Sequence, residues 1–267
     1  MVWYNYGVSD LPGGRQEFLD NPNSNKMKLI LDIGNTNVKA GFFEKKQLLE
    51  IISSAEPSLE FIESICHKNK GIASVILSSV REVPVAVIDF FKKNYRFIEF
   101  TDTTHVPVTN LYRTPATLGK DRMAGVVAVR SLYPNENVLV IDAGTCITYN
   151  FINAAGEYRG GSISPGFSMR FKALHTFTGQ LPLVSLENYY DLIGTDTETS
   201  ILSGVVNGLT VEADAIINLY KKLHNPIRTV ICGGDARFLA DRLKNSIFAV
   251  PELVLIGLNE ILDYNNE

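Results

Sequence analysis

The chain has only three cysteines in 267 residues, Cys66, Cys146 and Cys232, far apart and without CxxC spacing. That scarcity excludes a disulfide framework, and each thiol is expected to serve as a small core residue in a reducing cytoplasm. The four histidines, His67, His105, His175 and His224, lack metal-ligand spacing, so a catalytic zinc site is not expected. GxxxxGK[ST], GxGxxG and GxSxG are all missing, which removes the Walker phosphate loop, the dinucleotide fingerprint and the nucleophile elbow. Neither sign of charge dominates: 25 Lys and Arg face 29 Asp and Glu, for a net charge of -4, and no basic stripe suits nucleic acid. Beyond residue 26, no segment is expected to be apolar for long enough to cross a membrane. Residues 1–26 lack the apolar run of a signal peptide and are too acidic for a transit peptide, so a flexible extension ahead of Met27 is expected, its Trp3, Tyr4 and Tyr6 unusual for a solvated tail.

What the chain does have is one phrase twice: LILDIGNTN around Asp32 and Gly34, and VLVIDAGTC around Asp142 and Gly144. Each runs a β-branched apolar stretch into Asp-x-Gly and out into a second apolar stretch, the pattern of a hairpin with a polar turn. One such turn is ordinary; two in the same frame indicate a duplicated unit with a ligand site between its halves. The length matches two small α/β domains. Strands are expected near 28–34, 37–43, 47–53, 72–79 and 96–101, with helices near 58–69 and 84–94. The second half repeats the meander at 138–144, 147–153 and 157–163, adds helices near 166–178 and 197–223, and alternates strand and helix from 228 onward. The expected division is an extension (1–26), one domain at 27–136 and a second at 137–267, separated in the turn at 133–137.

The chemistry of the turns follows from their composition. Glycine lets backbone approach a ligand closely, while turn N–H groups and Asn or Thr side chains donate to phosphate oxygens. Aspartate accepts from a hydrated divalent cation, and Lys39 adds positive charge. A third feature is GKDR at 119–122, which by itself reads as a helix start carrying exposed charges. Gly204 and Gly208, one turn apart, are expected to permit close helix packing.

DIGNTNVK (32–39) and DAGTC (142–146) resemble the two phosphate motifs of the acetate and sugar kinase, Hsp70 and actin superfamily, and TVICGGDARFL (229–239) resembles its adenosine motif. TLGKDRMAG (117–125), GGSISPGFSMRFKAL (160–174) and the following TGQLPLV make the chain similar to the type III pantothenate kinases over Met27 to about Leu262. That resemblance implies an α/β fold of two duplicated actin-like (ribonuclease H-like) domains, each a mixed five-stranded sheet flanked by helices, with ATP in the cleft between them. It implies transfer of the γ-phosphoryl group of ATP to pantothenate, the first committed step toward coenzyme A, by a homodimer with the pantothenate site at the subunit junction. Asp32, Ile33, Gly34, Asn35, Thr36, Asn37, Val38 and Lys39 would cradle the triphosphate, with Asp32 holding Mg2+ through water and Thr145 the second phosphate contact. Asp142 would bind a monovalent cation, K+ or NH4+. Asp121 would be the general base, with Tyr112, Gly119, Lys120, Arg122 and Thr197 around pantothenate. Cys146 stands where the family more often has alanine, which would mildly crowd the turn. Two other readings stay open: a non-catalytic nucleotide-binding regulator on the same scaffold, and a sugar or acetate kinase, against which the intact GKDR and 160–174 stretch argue.

Overall fold

The computed structural model describes residues 2–3, 27–189 and 191–266, so Tyr4, Tyr6 and most of the expected extension lie outside the described residues. The chain opens with β1 (Val2–Trp3), then β2 (Met27–Ile33), β3 (Val38–Glu44), β4 (Gln47–Ser54), α1 (Leu59–Lys68), β5 (Ile72–Ser79), α2 (Val85–Asn94) and β6 (Arg96–Glu99). The two-residue β7 (Thr109–Asn110), a 3-10 turn at Pro115–Thr117 and α3 (Lys120–Leu132) follow. Next come β8 (Val138–Ala143), β9 (Cys146–Ile152), β10 (Glu157–Pro165), α4 (Phe167–Thr176), α5 (Thr197–Leu202), a π turn at Ser203–Asn207 and α6 (Gly208–Leu223). The last elements are β11 (Arg228–Cys232), α7 (Ala236–Ala240), β12 (Phe248–Ala249) and α8 (Leu253–Tyr264).

The fold is α/β, with two compact units. Among the described residues, one comprises 27–132 and 253–266, and its sheet runs β4-β3-β2-β5-β6, the first three antiparallel and the last three parallel. The other comprises residues 1–4 and 133–252, and repeats that order as β10-β9-β8-β11-β12. The expected five-stranded mixed sheet is present in both, but in the second unit the Val2–Trp3 backbone adds a further parallel strand beside Phe248 and Ala249.

In the first unit, Leu29, Leu31 and Ile33 of β2 face Val75 and Leu77 of β5, with Ile62, Val87 and Phe91 from α1 and α2 closing the core. Burying each such side chain fully stabilises the fold by roughly 1.5–3 kcal/mol. Ser58 starts α1 by accepting the Phe61 N–H at 3.2 Å. The opposite sheet face carries α3 and α8, fastened by Lys28 Nζ donating to both carboxylate oxygens of Asp263 at 2.7 Å. This placement differs from the expected division, in which everything after 137 belongs to the second domain: α8 returns to the first unit because its apolar residues, Leu255, Leu258, Ile261 and Leu262 among them, are buried there.

In the second unit, Leu139, Ile141, Ile147, Tyr149, Phe167, Val206, Leu209 and Ile217 form the core. Asp196 opens the long helical run with a reciprocal cap, accepting the Thr199 N–H at 2.8 Å while Thr199 Oγ1 accepts the Asp196 N–H at 3.1 Å. Hydrogen bonds from the Thr199 backbone N–H and then its side chain hold the Asp196 carboxyl below its ordinary value. Three expectations are corrected here. The 27-residue run Thr197–Leu223 is long and apolar enough to cross a bilayer by length and composition, yet its apolar side packs into this core. A Cβ at Gly204 or Gly208 would meet nothing within 4 Å among the described residues, so nothing else in this chain packs closely on them, and the pair lies at the π turn. Cys146 is only half-buried, unlike Cys66 and Cys232, because it leaves the hairpin turn rather than the strand interior.

Lys28→Met retains the apolar stem and removes the ammonium, leaving a carboxylate on α8 without its cation. We expect a loss of about 1–2 kcal/mol, since Lys28 is almost fully buried while Asp263 can partly rehydrate, measurable by urea denaturation.

Candidate active site

The first turn closes β2 onto β3, with the Gly34 N–H donating to the Asn37 carbonyl at 3.0 Å. Asn35, Thr36 and Asn37 are exposed, whereas Ile33 and Val38 are buried anchors on either side. Asp32 and Lys39 face each other across the hairpin, and Ser78 on β5 is the parallel neighbour of Asp32. Since side chains alternate along a strand, Asp32 shares the sheet face of Lys28, the face that carries α3 and α8. Ser78 was not singled out from the sequence; it is 1% exposed, and its hydroxyl makes no hydrogen bond among the described residues. The polar Ser-Ser pair ending an apolar strand is the signal that could have found it.

At the start of α3, the Gly119 carbonyl accepts the Met123 N–H at 3.2 Å, and Asp121 Oδ1 accepts the Arg122 N–H at 2.8 Å. The Asp121 carboxylate is thereby held at a helix N-terminus, where the dipole favours negative charge. Arg122 is 6% exposed, with its guanidinium carbon 5.6 Å from the ring centre of Tyr112. Tyr112 is fixed in turn by its N–H donating to Asn110 Oδ1 at 3.0 Å. Tyr112, Gly119, Lys120, Asp121 and Arg122 thus gather at one helix start, in the same unit and on the same sheet face as Asp32.

The second turn and Thr197 lie in the other unit. Asp142 is paired with Thr148 on β9 and Cys232 on β11, the equivalents of Lys39 and Ser78 around Asp32. The Gly144 N–H donates to the Cys146 carbonyl at 3.0 Å, leaving Thr145 exposed at the tip. Two glycines permit neighbouring backbone to close in. Gly233, at φ +97°, passes so near the Ala143 carbonyl and the Asp142 carboxylate that a methyl would collide with both. Gly166, which opens α4, donates to the Thr145 carbonyl at 3.0 Å and leaves no space for a side chain against Gly144. The Asp235 N–H donates to the Ala143 carbonyl at 2.8 Å, and burial pushes the Asp235 carboxyl above its ordinary value. Thr197, on the first turn of α5, lines a cavity of about 690 Å³ with Leu174, Leu181, Gly194 and Ile201.

A family model described as type III pantothenate kinase matches residues 28–219. The chain is 44% identical over 241 residues to the type III pantothenate kinase of Bacteroides fragilis strain YCH46, covering 90% of this chain and 99% of that one. It is 43% identical over 240 residues to that of Christiangramia forsetii, covering 90% and 99%. The chain belongs to the type III pantothenate kinase family.

Solved structures agree at the level of fold. A Baf family protein from Campylobacter jejuni superposes with a TM-score of 0.56 at 22% identity, covering 89% of this chain and 98% of that one. The polyphosphate/ATP-glucomannokinase of Arthrobacter sp. strain KM gives 0.50 at 15% identity, covering 90% and 100%. The likeness covers both units and so agrees with the duplication that the paired turns suggest.

Because the Asp235 carboxyl is raised, the folded state disfavours its charged form, and that penalty is present at neutral pH and disappears as pH falls below the ordinary value of 3.8. Asp235→Asn should accordingly raise the melting temperature at pH 7, with the gain over the native chain fading as the pH is lowered to that value in a thermal-shift series.

Proposed function

We propose that this chain transfers the γ-phosphoryl group of ATP to the primary hydroxyl of pantothenate, giving 4'-phosphopantothenate, the first step of coenzyme A synthesis. The observation that carries this reading is the start of α3, where an aspartate and a buried arginine stand together beside Tyr112 on the sheet face of Asp32. Phosphoryl transfer needs positioning, charge stabilisation and an acceptor for the proton of the attacking hydroxyl. Asp121 accepts that proton, which leaves as the new P–O bond forms. Arg122, with its planar fork, takes the pantothenate carboxylate through two parallel bonds, and Tyr112, Gly119 and Lys120 border the same pocket.

On the nucleotide side, the exposed residues Asn35, Thr36 and Asn37, the Gly34 backbone and Lys39 hold the triphosphate, and Thr145 is the second phosphate contact. A lone carboxylate such as Asp32 suits Mg2+, which keeps most of its waters and takes its other ligands from phosphate. When bound, the metal neutralises the charge that develops on the transferred group. Among the described residues no three His, Cys, Asp or Glu side chains cluster as ligands, so the donor set favours hydrated or weakly held cations over a caged one. Asp142, at the carboxyl end of β8 beside the second turn, is the ligand for a monovalent ion, K+ or NH4+.

Two features support a homodimer in the cytoplasm. Val211, Leu219 and Leu223 of α6 are 67%, 57% and 75% exposed, an apolar content on one helix that a second copy would cover. The three cysteines are all free thiols, as a reducing compartment maintains them. Thr197, on the first turn of α5, is a further pantothenate contact.

Phosphopantothenate formation should be detectable with Mg-ATP and should depend on K+ over Na+. Asp121→Asn should lower kcat by about 10²–10⁴ while ATP binding, followed by calorimetry, is retained. Full activity in that variant removes Asp121 from the chemistry; absence of turnover in the native chain with ATP bound favours the regulatory reading.

A further inference from the structure

The second turn is fixed from outside its own hairpin. The start of α4 presses on it through Gly166, whose N–H donates to the Thr145 carbonyl. One side chain a turn further along the helix fixes the two residues that lead into Gly166. Arg170 Nε donates to the Pro165 carbonyl at 2.8 Å, and Nη2 donates to Ser164 Oγ at 2.9 Å. The same Nη2 reaches the carboxylate of Glu212, on α6 and 42 residues away, at 2.5 Å. A carbonyl, a hydroxyl and a carboxylate converge on one guanidinium, a pattern that a lysine ammonium on a flexible stem cannot reproduce.

The pair is sheltered, with the arginine side chain 21% and the glutamate 31% exposed. Beneath it lies Tyr149 of β9, fully buried, whose hydroxyl finds no hydrogen bond among the described residues. Burial and the Glu212 charge both raise the Tyr149 phenol, so it stays neutral and contributes no competing charge. In such surroundings a charge-assisted bond holds its geometry far better than one at an open surface.

We propose that Arg170 and Glu212 form a positioning pair that sets the second phosphate turn through Pro165, Gly166 and the Thr145 backbone, and so tunes nucleotide affinity without touching the nucleotide. The proposal rests on the reading that Thr145 meets the ATP phosphates. Neither residue is a catalytic group, and the pair bears on the donor, leaving the acceptor pocket at α3 unaffected.

The test compares Thr145→Val, Arg170→Met, Arg170→Lys, Glu212→Gln and the Arg170→Met/Glu212→Gln double variant in the full chain, reading Kd for Mg-ATP by calorimetry, KM for each substrate and the melting temperature. Displacing a phosphate contact by a fraction of an ångström should weaken ATP about ten- to a hundredfold in Arg170→Met and Glu212→Gln. Pantothenate KM should stay within about twofold, and the double variant should be no weaker than the worse single, as expected of two groups acting as one unit. Arg170→Lys should recover only part of the affinity. Should Arg170→Met fail to fold, the isosteric Glu212→Gln carries the same readout. Unchanged ATP affinity in Glu212→Gln, alongside weakened binding in Thr145→Val, overturns the positioning role and leaves the phosphate reading intact. Unchanged affinity in Thr145→Val overturns the phosphate reading, and this proposal with it. Equal losses for ATP and pantothenate also overturn it, since they report general loosening.

Discussion

Each unit is organised by one buried strand that must satisfy hydrogen bonds along both of its edges. β2 and β8 do so by pairing antiparallel with the next strand on one side and parallel with a later strand on the other. A strand so enclosed is apolar along its middle and sets polar residues toward its ends, as Lys28 at the start of β2 and an aspartate at the carboxyl end of each strand, just before the turn. Asp32 and Asp142 occupy that position, both only half-buried between strand and turn. The glycines, asparagines and threonines beyond them follow from the same constraint, because the chain must reverse immediately while keeping its N–H groups available. Chemistry and topology are thus fixed by one local arrangement, used twice.

The same logic governs the supporting elements. The second turn is crowded by Gly166 and Gly233, arriving from different parts of the chain, and both approaches require the absence of a side chain. At α3 the demand is reversed: a long charged side chain is almost entirely withdrawn from water, with an aromatic ring beside it.

The hairpins and their turns were legible because their signals are local. Alternation, β-branched residues and Asp-x-Gly lie within a dozen positions, and the GKDR helix start is equally compact. The less legible features all involve partners distant in sequence. The apolar stripe of α8 states which side of the helix is buried, but nothing in it says which sheet does the burying. Gly204 and Gly208 have the spacing of a packing motif, yet whether another backbone approaches depends on elements elsewhere. Arg170 and Glu212 are ordinary helical charges until α4 and α6 are laid side by side. Val2–Trp3 is too short to register as a strand at all, and acquires its pairing only from an available edge at β12.

The return of α8 to the first unit has a consequence for how the protein is made. During translation, residues 27–132 leave the ribosome well before Leu253–Tyr264 exists, so the sheet face bearing Ile30 and Ile76 has no α8 to cover it while the whole second unit is synthesised. Lys28 has no Asp263 to pair with for the same interval. The first unit therefore completes its core last, although its sequence comes first, and a chain that stops before Leu253 leaves that face of the earlier half exposed to chaperones and proteases.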